Sequence, residues 1–184
     1  MESQNNIAVR GIVTRRLFDA SGKPKKMFKE NAIWELIKET FNLDLKIPLI
    51  TGYWTTKPIV HNTITAAGLA KVAGMIIGVA TDPFLYLGIG TGTSTASGLT
   101  TEITTGGGER ALGTESQVTT TEADDTAQVI HEWTFSDTFA ITEEALYNAA
   151  VAGDVLAYRN FSAVNVESGN KFEVTHQIVV AIPA

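Results

Sequence analysis

The stretch Gln128-Val-Ile-His-Glu-Trp-Thr-Phe135 decides the fold class. Val129, His131, Trp133 and Phe135 fall on one side of an extended chain, and Gln128, Ile130, Glu132 and Thr134 on the other. A period of two marks a strand with one buried face. Upstream, Phe84-Leu-Tyr-Leu-Gly-Ile89 is a short continuous apolar run, as in a strand buried on both sides. Downstream, Val155 to Phe161 and Lys171 to Ile182 read as strands, and Glu167-Ser-Gly-Asn170 reads as the hairpin turn between the last of them. Strand patterns concentrated after residue 84 predict a mainly β chain. The expected architecture is an antiparallel β-sandwich, jelly-roll-like, with one or two short helices in the N-terminal half.

In that half, Ile7 to Phe18 is rich in β-branched and apolar residues, Asp19-Ala-Ser-Gly-Lys-Pro24 supplies turn chemistry, and Lys25 to Phe28 returns, which predicts a hairpin. Asn31 is the expected N-cap of a helix over 31–41, with Ile33, Leu36, Ile37 and Phe41 at helical spacing. Pro48, Gly52 and Pro58 punctuate the next segment, where Tyr53 and Trp54 offer a large apolar area. A second helix is expected over 65–77, its stripe formed by Ala66, Leu69, Ala70, Ala73 and Ile76. Residues 90–127, dominated by Gly and Thr, read as one long loop containing a short amphipathic segment, Leu99 to Ile103, and the triplet Gly106-Gly-Gly108. Residues 1–56 then form an N-terminal hairpin, helix and extended segment, and 57–184 the sandwich core, in one compact domain.

Composition narrows the function classes. The 184 residues include no Cys, which excludes disulfides, thiolate metal sites and thiol nucleophiles. The longest apolar-rich stretch, Ala66 to Ala80, is interrupted by Gly68, Lys71, Gly74 and Gly78 and is too short to span a bilayer, so no membrane partner is expected. Met1-Glu-Ser-Gln-Asn-Asn lacks the basic and apolar regions of a signal peptide, and secretion by that route is not expected. The net charge of −6 is unevenly distributed: residues 1–71 hold 11 Lys+Arg against 6 Asp+Glu, whereas residues 72–158 hold Arg110 alone against 12 acidic residues. Such a chain is expected to favour contacts between unlike faces of neighbouring molecules.

No residue pattern makes a strong case for catalysis. Gly88-Ile-Gly-Thr-Gly-Thr-Ser-Thr95 follows a strand but lacks the lysine and the helix of a phosphate loop, so it reads as a surface loop. His61, His131 and His176 have no metal-ligand spacing, and the last two fall on apolar strand faces, where a hydrogen-bonded, partly buried imidazole is the ordinary outcome. Asp124-Asp125 and Glu143-Glu144 are paired acids; neighbours on a strand point to opposite faces, so neither pair converges, and solvated loop ends are expected, with calcium ligands the less frequent alternative. No Gly-x-Ser-x-Gly elbow occurs. Lys23, Lys25, Lys26 and Lys29 cluster near the first turn, but without interleaved aromatics and with net negative charge they read as a charged hairpin tip, and nucleic acid is not an expected partner. No cofactor, metal or catalytic residue is expected.

Four further segments resemble, in order, a family of small β-rich virion proteins encoded by tailed bacteriophages and prophages. They are Phe84-Leu-Tyr-Leu-Gly-Ile-Gly-Thr-Gly-Thr-Ser-Thr-Ala-Ser-Gly-Leu-Thr-Thr-Glu102, Phe135 to Asn148, Gly153 to Phe161 and Asn165 to Thr175. His61-Asn-Thr-Ile-Thr-Ala-Ala-Gly68 is similar to the start of that family's helix, so the likeness covers about residues 57–184. In the resembling pattern Glu143 pairs across the sheet with Arg159, and Asn148 and Gly153 shape the turn between their strands. Two positions depart from it: Glu144 stands where Gly is common, and His176 where Trp is common.

The resemblance implies a non-enzymatic structural protein of the virion, assembled in the host bacterial cytoplasm, most simply a capsid decoration or cement protein that stabilises the head. A tail or fibre component is the alternative within the virion. A carbohydrate-binding sandwich module, stacking sugars on Tyr53, Trp54 and Trp133, is the alternative outside it. The implied partners are the major capsid protein, other virion proteins, and further copies of the chain in a homo-oligomer, with a trimer preferred. The expected assembly surface comprises Lys23, Lys25 and Lys26, Tyr53 and Trp54, and the apolar residues Leu99, Ile103 and Leu112.

Overall fold

A computed structural model of the chain describes residues 8–28, 53–54 and 60–181. The expected helix over 31–41 lies outside the described residues. Two five-stranded antiparallel sheets face each other. The first has the order β4 (Val60–His61), β1 (Ala8–Phe18), β12 (Lys171–Ala181), β9 (Thr126–Thr134), β8 (Thr114–Val118). The second runs β5 (Thr63–Ile64), β11 (Val155–Val166), β10 (Phe139–Tyr147), β6 (Tyr86–Gly90), β7 (Ala111–Leu112). A separate ribbon pairs β2 (Met27–Phe28) with β3 (Tyr53–Trp54). The pairing is nested: β1 with β12, β5 with β11, β6 with β10 and β8 with β9. A long hairpin rolled into two layers gives this order, and it is in this sense that the sandwich is jelly-roll-like.

The core lies between the layers. Val13, Leu17, Val129, Trp133, Phe172, Val174 and Ile178 from the first sheet meet Leu87, Ile89, Ile141, Leu146, Phe161, Val164 and Val166 from the second. The Phe161 and Phe172 rings approach to 6.5 Å across the interface.

Several expectations are corrected. Glu167 to Asn170 does not close a hairpin: β11 and β12 lie in different sheets, so the turn is an arch between layers. The buried residues on both sides of it face each other across the core, and alternation alone cannot distinguish that arrangement from side-by-side pairing. Residues 135–138 make the second arch, from β9 to β10. The two are joined by hydrogen bonds from Gly169 N–H to the Phe135 carbonyl (2.7 Å) and from Phe135 N–H to the Asn170 carbonyl (3.0 Å).

The first turn is closed by Lys25 N–H donating to the Leu17 carbonyl, but the return strand leaves to pair with β3. Strand β1 is paired with β12 along its length and with β4 at Ile12 and Val13, and the hairpin contact itself stops at a single bridge between Phe18 and Pro24. Residues 90–127 are not one loop either, since they include β7, β8 and the start of β9. Apart from half-buried Val118, β8 is exposed on both faces, which explains why no apolar period marks it.

The second helix, α1 (Ala66–Ile76), forms as expected, with Thr65 as N-cap accepting from Gly68 N–H at 2.8 Å. The face it buries is not the expected one. Gly68 packs against the Leu156 backbone, where an added Cβ would lie 2.5 Å from the Leu156 Cα, and Val72 and Met75 follow on the same side. That close approach turns Ala66, Leu69, Ala70, Ala73 and Ile76 towards solvent.

Candidate functional site

Glu143 and Glu144, adjacent on β10, are both fully buried, contrary to the expectation of solvated acids. They point to opposite faces of the second sheet, as alternation requires, and they do different work.

Glu143 faces outward beneath the loop between β6 and β7. Its Oε1 accepts from the N–H groups of Thr101 (2.8 Å) and Gly92 (3.0 Å), and its Oε2 from the Ser94 hydroxyl (2.9 Å) and Thr100 N–H (3.1 Å). The loop is thereby folded around one carboxylate. Asn160, opposite Glu143 on β11, completes the clamp by accepting from Ser94 N–H at 2.7 Å and donating to its carbonyl at 3.0 Å. Gly90 and Gly92 permit the approach, since a Cβ at either position would collide with the Glu143 side chain.

Two further attachments hold the same loop. The Tyr147 hydroxyl accepts from Leu99 N–H at 2.8 Å, and burial raises the Tyr147 pKa. Arg110 grips Glu102 with both arms of its guanidinium (2.7 and 2.8 Å), lies 3.5 Å above the Tyr147 ring, and donates to the carbonyls of Ala149 and Ala152. A planar guanidinium suits this combination of bidentate pairing and stacking.

Glu144 faces inward. Among the described residues neither of its carboxyl oxygens accepts a hydrogen bond. Burial pushes its pKa up to about 7, and the charges of Arg15 and Arg159 oppose that shift. Arg159 lies directly opposite Glu144 across the β10–β11 pair, so the expected partnership of Arg159 with Glu143 is off by one residue. The irregularity between Leu146 and Tyr147 accounts for the slip, because the register of the Tyr147–Val155 pair carried on unbroken would set Glu143 opposite Arg159. His176, on β12, is also fully buried. Its Nδ1 lies 3.1 Å from the Asn62 amide nitrogen, and burial, with the Arg15 charge, lowers its pKa to about 3. Arg15 stacks 3.9 Å above Phe161. Asn62 sits where the chain crosses from β4 in one sheet to β5 in the other, so this polar cluster closes one side of the sandwich.

The other expected residues are dispersed. Lys23 and Lys26 are exposed at the β1–β2 turn, and Lys25 is half-buried, donating to Asn170 at 2.8 Å. Tyr53 and Trp54 form β3. Ile103 is buried in this chain's own core, Leu99 packs against the Tyr147 cluster, and Leu112 is exposed. Trp133 is buried too, with its ring N–H donating to the Glu109 carbonyl at 2.8 Å, which removes it from any sugar-stacking surface. His131 is half-buried, edge-on to Trp133 at 4.7 Å, and burial lowers its pKa. Asp125 accepts from the N–H groups of Thr120, Thr121 and Glu122 in the turn before β9, contacts that hold its carboxyl well below the usual range.

Among the described residues no three His, Asp or Glu side chains converge as metal ligands, and no helix is long and apolar enough to cross a membrane. Sequence reading missed the clamp because its ligands are backbone N–H groups. The available signal was the pair of acids inside a strand otherwise made of core residues, Ile141 to Tyr147. No family model, curated protein or solved structure matches this chain.

Proposed function

We propose that this protein is a non-enzymatic structural component of a tailed-bacteriophage virion, serving as a capsid decoration or cement protein. The observation that carries this reading is that the residues behind the resemblance perform structural tasks. Gly90 and Gly92 admit the clamp, Glu143 holds the loop, Glu102 anchors Arg110, and the Asn148 side chain accepts from Asp154 N–H at 2.7 Å in the turn containing Gly153. A loop fixed to a sheet by a buried carboxylate and an arginine fork offers a firm surface for a neighbouring subunit, with little ordering entropy left to lose on docking. The partners are capsid proteins and further copies of the chain.

The test is addition of the purified protein to undecorated capsids. Saturable binding with a raised capsid melting temperature is the expected result. Absence of binding to capsids combined with binding to tail or fibre assemblies moves the protein to the alternative place in the particle, and absence of both overturns the reading.

A further inference from the structure

The two layers do not end together on the β7–β8 side. The chain crosses between them at Gly113, just after Leu112, which pairs with Tyr86, the first residue of β6. Tyr147, the last residue of β10, lies opposite Tyr86 on its other side, so the second sheet stops at this level. The first sheet does not. Strand β8 runs on beside the start of β9 for 5 residues, roughly 15 Å at strand rise. In place of a facing strand this overhang meets Val72 and Met75 of α1 and the segment Pro83 to Leu85, and between them lies a cavity of about 740 Å³. The core residues Phe84, Val129, Leu146, Leu156 and Ile178 form its floor. Voids left by imperfect core packing are barely larger than a water molecule, whereas a concave apolar space of this size is that of a small-molecule site.

The mouth sets the polarity of the ligand. Alternation puts Glu115 and Gln117 on the inner face of β8, opposite Val129 and Ala127. The charged residues lining the cavity are Glu115, Asp124 and Asp125, all acidic. Asp125 is committed to the amides of its own turn, whereas among the described residues no hydrogen bond or ion pair engages the Glu115 carboxylate. Two cations of this region are directed elsewhere: Arg10 lies on the outer face of β1 and reaches Thr121, and Lys71 pairs with Asp154 at 3.4 Å.

We propose that the cavity between α1 and the overhanging edge of the first sheet binds a small amphiphilic cation, an alkyl or aryl body carrying a protonated amine. The apolar body takes the place of the missing layer, and the ammonium group stays at the mouth beside Glu115. Burial of the body supplies most of the affinity, and the exposed carboxylate adds a severalfold preference for positive charge. This proposal does not rest on the virion reading.

Fluorescence of Nile red, a neutral dye that brightens in apolar surroundings, tests it with the full chain. Saturable brightening at one dye per chain is expected. Decylamine, decanol and decanoate, each below its micelle concentration at neutral pH, should all displace the dye, the amine at about fivefold lower concentration than the carboxylate. In Glu115→Gln that preference should fall to about twofold or less, with the affinity for decanol unchanged. Ala127→Trp, at an exposed position on the cavity wall, should leave the circular dichroism unchanged and abolish dye binding by filling the space. Absence of saturable binding overturns the proposal, as does dye binding that survives Ala127→Trp. Decanoate competing as well as decylamine, or an amine preference untouched by Glu115→Gln, overturns the cationic head. Dye affinity that falls as protein concentration rises assigns the cavity to a second copy of the chain and overturns the small-molecule reading.

Discussion

Glu143 and Glu144 show how one residue step separates two electrostatic roles. Glu143 is buried with its lone pairs filled by N–H and O–H donors, so its charge organises the loop above it. Removing it in Glu143→Ala strands several buried donors, and urea unfolding should report a loss of about 3 to 5 kcal/mol, with the amides of Gly92, Thr100 and Thr101 losing exchange protection first. Glu144 and His176 are buried without equivalent satisfaction, and their shifts oppose each other. The folded pKa of Glu144 is raised from 4.5 to about 7, so its contribution to stability is complete below pH 4.5 and is lost as pH rises through 7. The folded pKa of His176 is lowered from 6.5 to about 3, so its contribution is present above pH 6.5 and is lost as pH falls towards 3. Between about pH 4.5 and 6.5 the two slopes cancel, which predicts a stability plateau there with losses on both sides. Urea melts across pH should show it, and in Glu144→Gln, which leaves the His176 slope uncancelled, stability should instead rise with pH between about 4.5 and 6.5 and stay level towards 7. Both residues depart from the resembling family's pattern and both feel the Arg15 charge, so the two departures belong to one cluster.

At the scale of elements, α1 shows what periodicity reveals and what it cannot. Its existence and length were legible, because the spacing of apolar residues is a local feature. Its orientation was not, because it depends on Gly68 meeting the Leu156 backbone, a contact between distant parts of the chain. Gly68→Ala therefore separates the two influences. Helix propensity alone predicts a gain of up to about 1 kcal/mol, whereas the collision with Leu156 predicts a net loss, and thermal unfolding should show the loss. The Gly106 to Gly108 triplet reads from sequence as part of one long loop, yet Gly107 has φ +82 and lies against the Thr134 carbonyl, and the Gly106 carbonyl accepts from Ser136 N–H at 2.9 Å. Gly107→Ala should destabilise the β9–β10 arch beside it, and amide exchange at Ser136 and Asp137 should quicken. The arches were misread for the same reason as the helix face: a strand's own pattern reports that one face is buried and not which layer buries it.

For the whole molecule, the folded chain softens the charge asymmetry visible in sequence. Glu143 and Glu144 leave the acidic surface for the interior, Glu102 is neutralised by Arg110, and Arg15 leaves the basic side. What remains outside is locally mixed: exposed Asp137 and Glu167 lie in the arches next to the turn that carries Lys23 and Lys26, and exposed Arg10 lies by the turn that carries Asp124 and Asp125. Nesting also ties stability to the last segment. Strand β12 lies between β1 and β9 in the first sheet, so two strands depend on it for hydrogen bonds and Phe172, Val174 and Ile178 for core. The first and last described strands must find each other before that sheet exists, and closing so long a loop is entropically costly until the intervening pairs have formed. Refolding from urea should accordingly be slow, on the order of milliseconds to seconds. A chain ending at residue 170 should fail to fold cooperatively, losing near-ultraviolet dichroism and sharp proton resonances. Supplying residues 171–184 as a separate peptide should restore both signals, since the gap left between β1 and β9 has two strand edges and an apolar face to receive it.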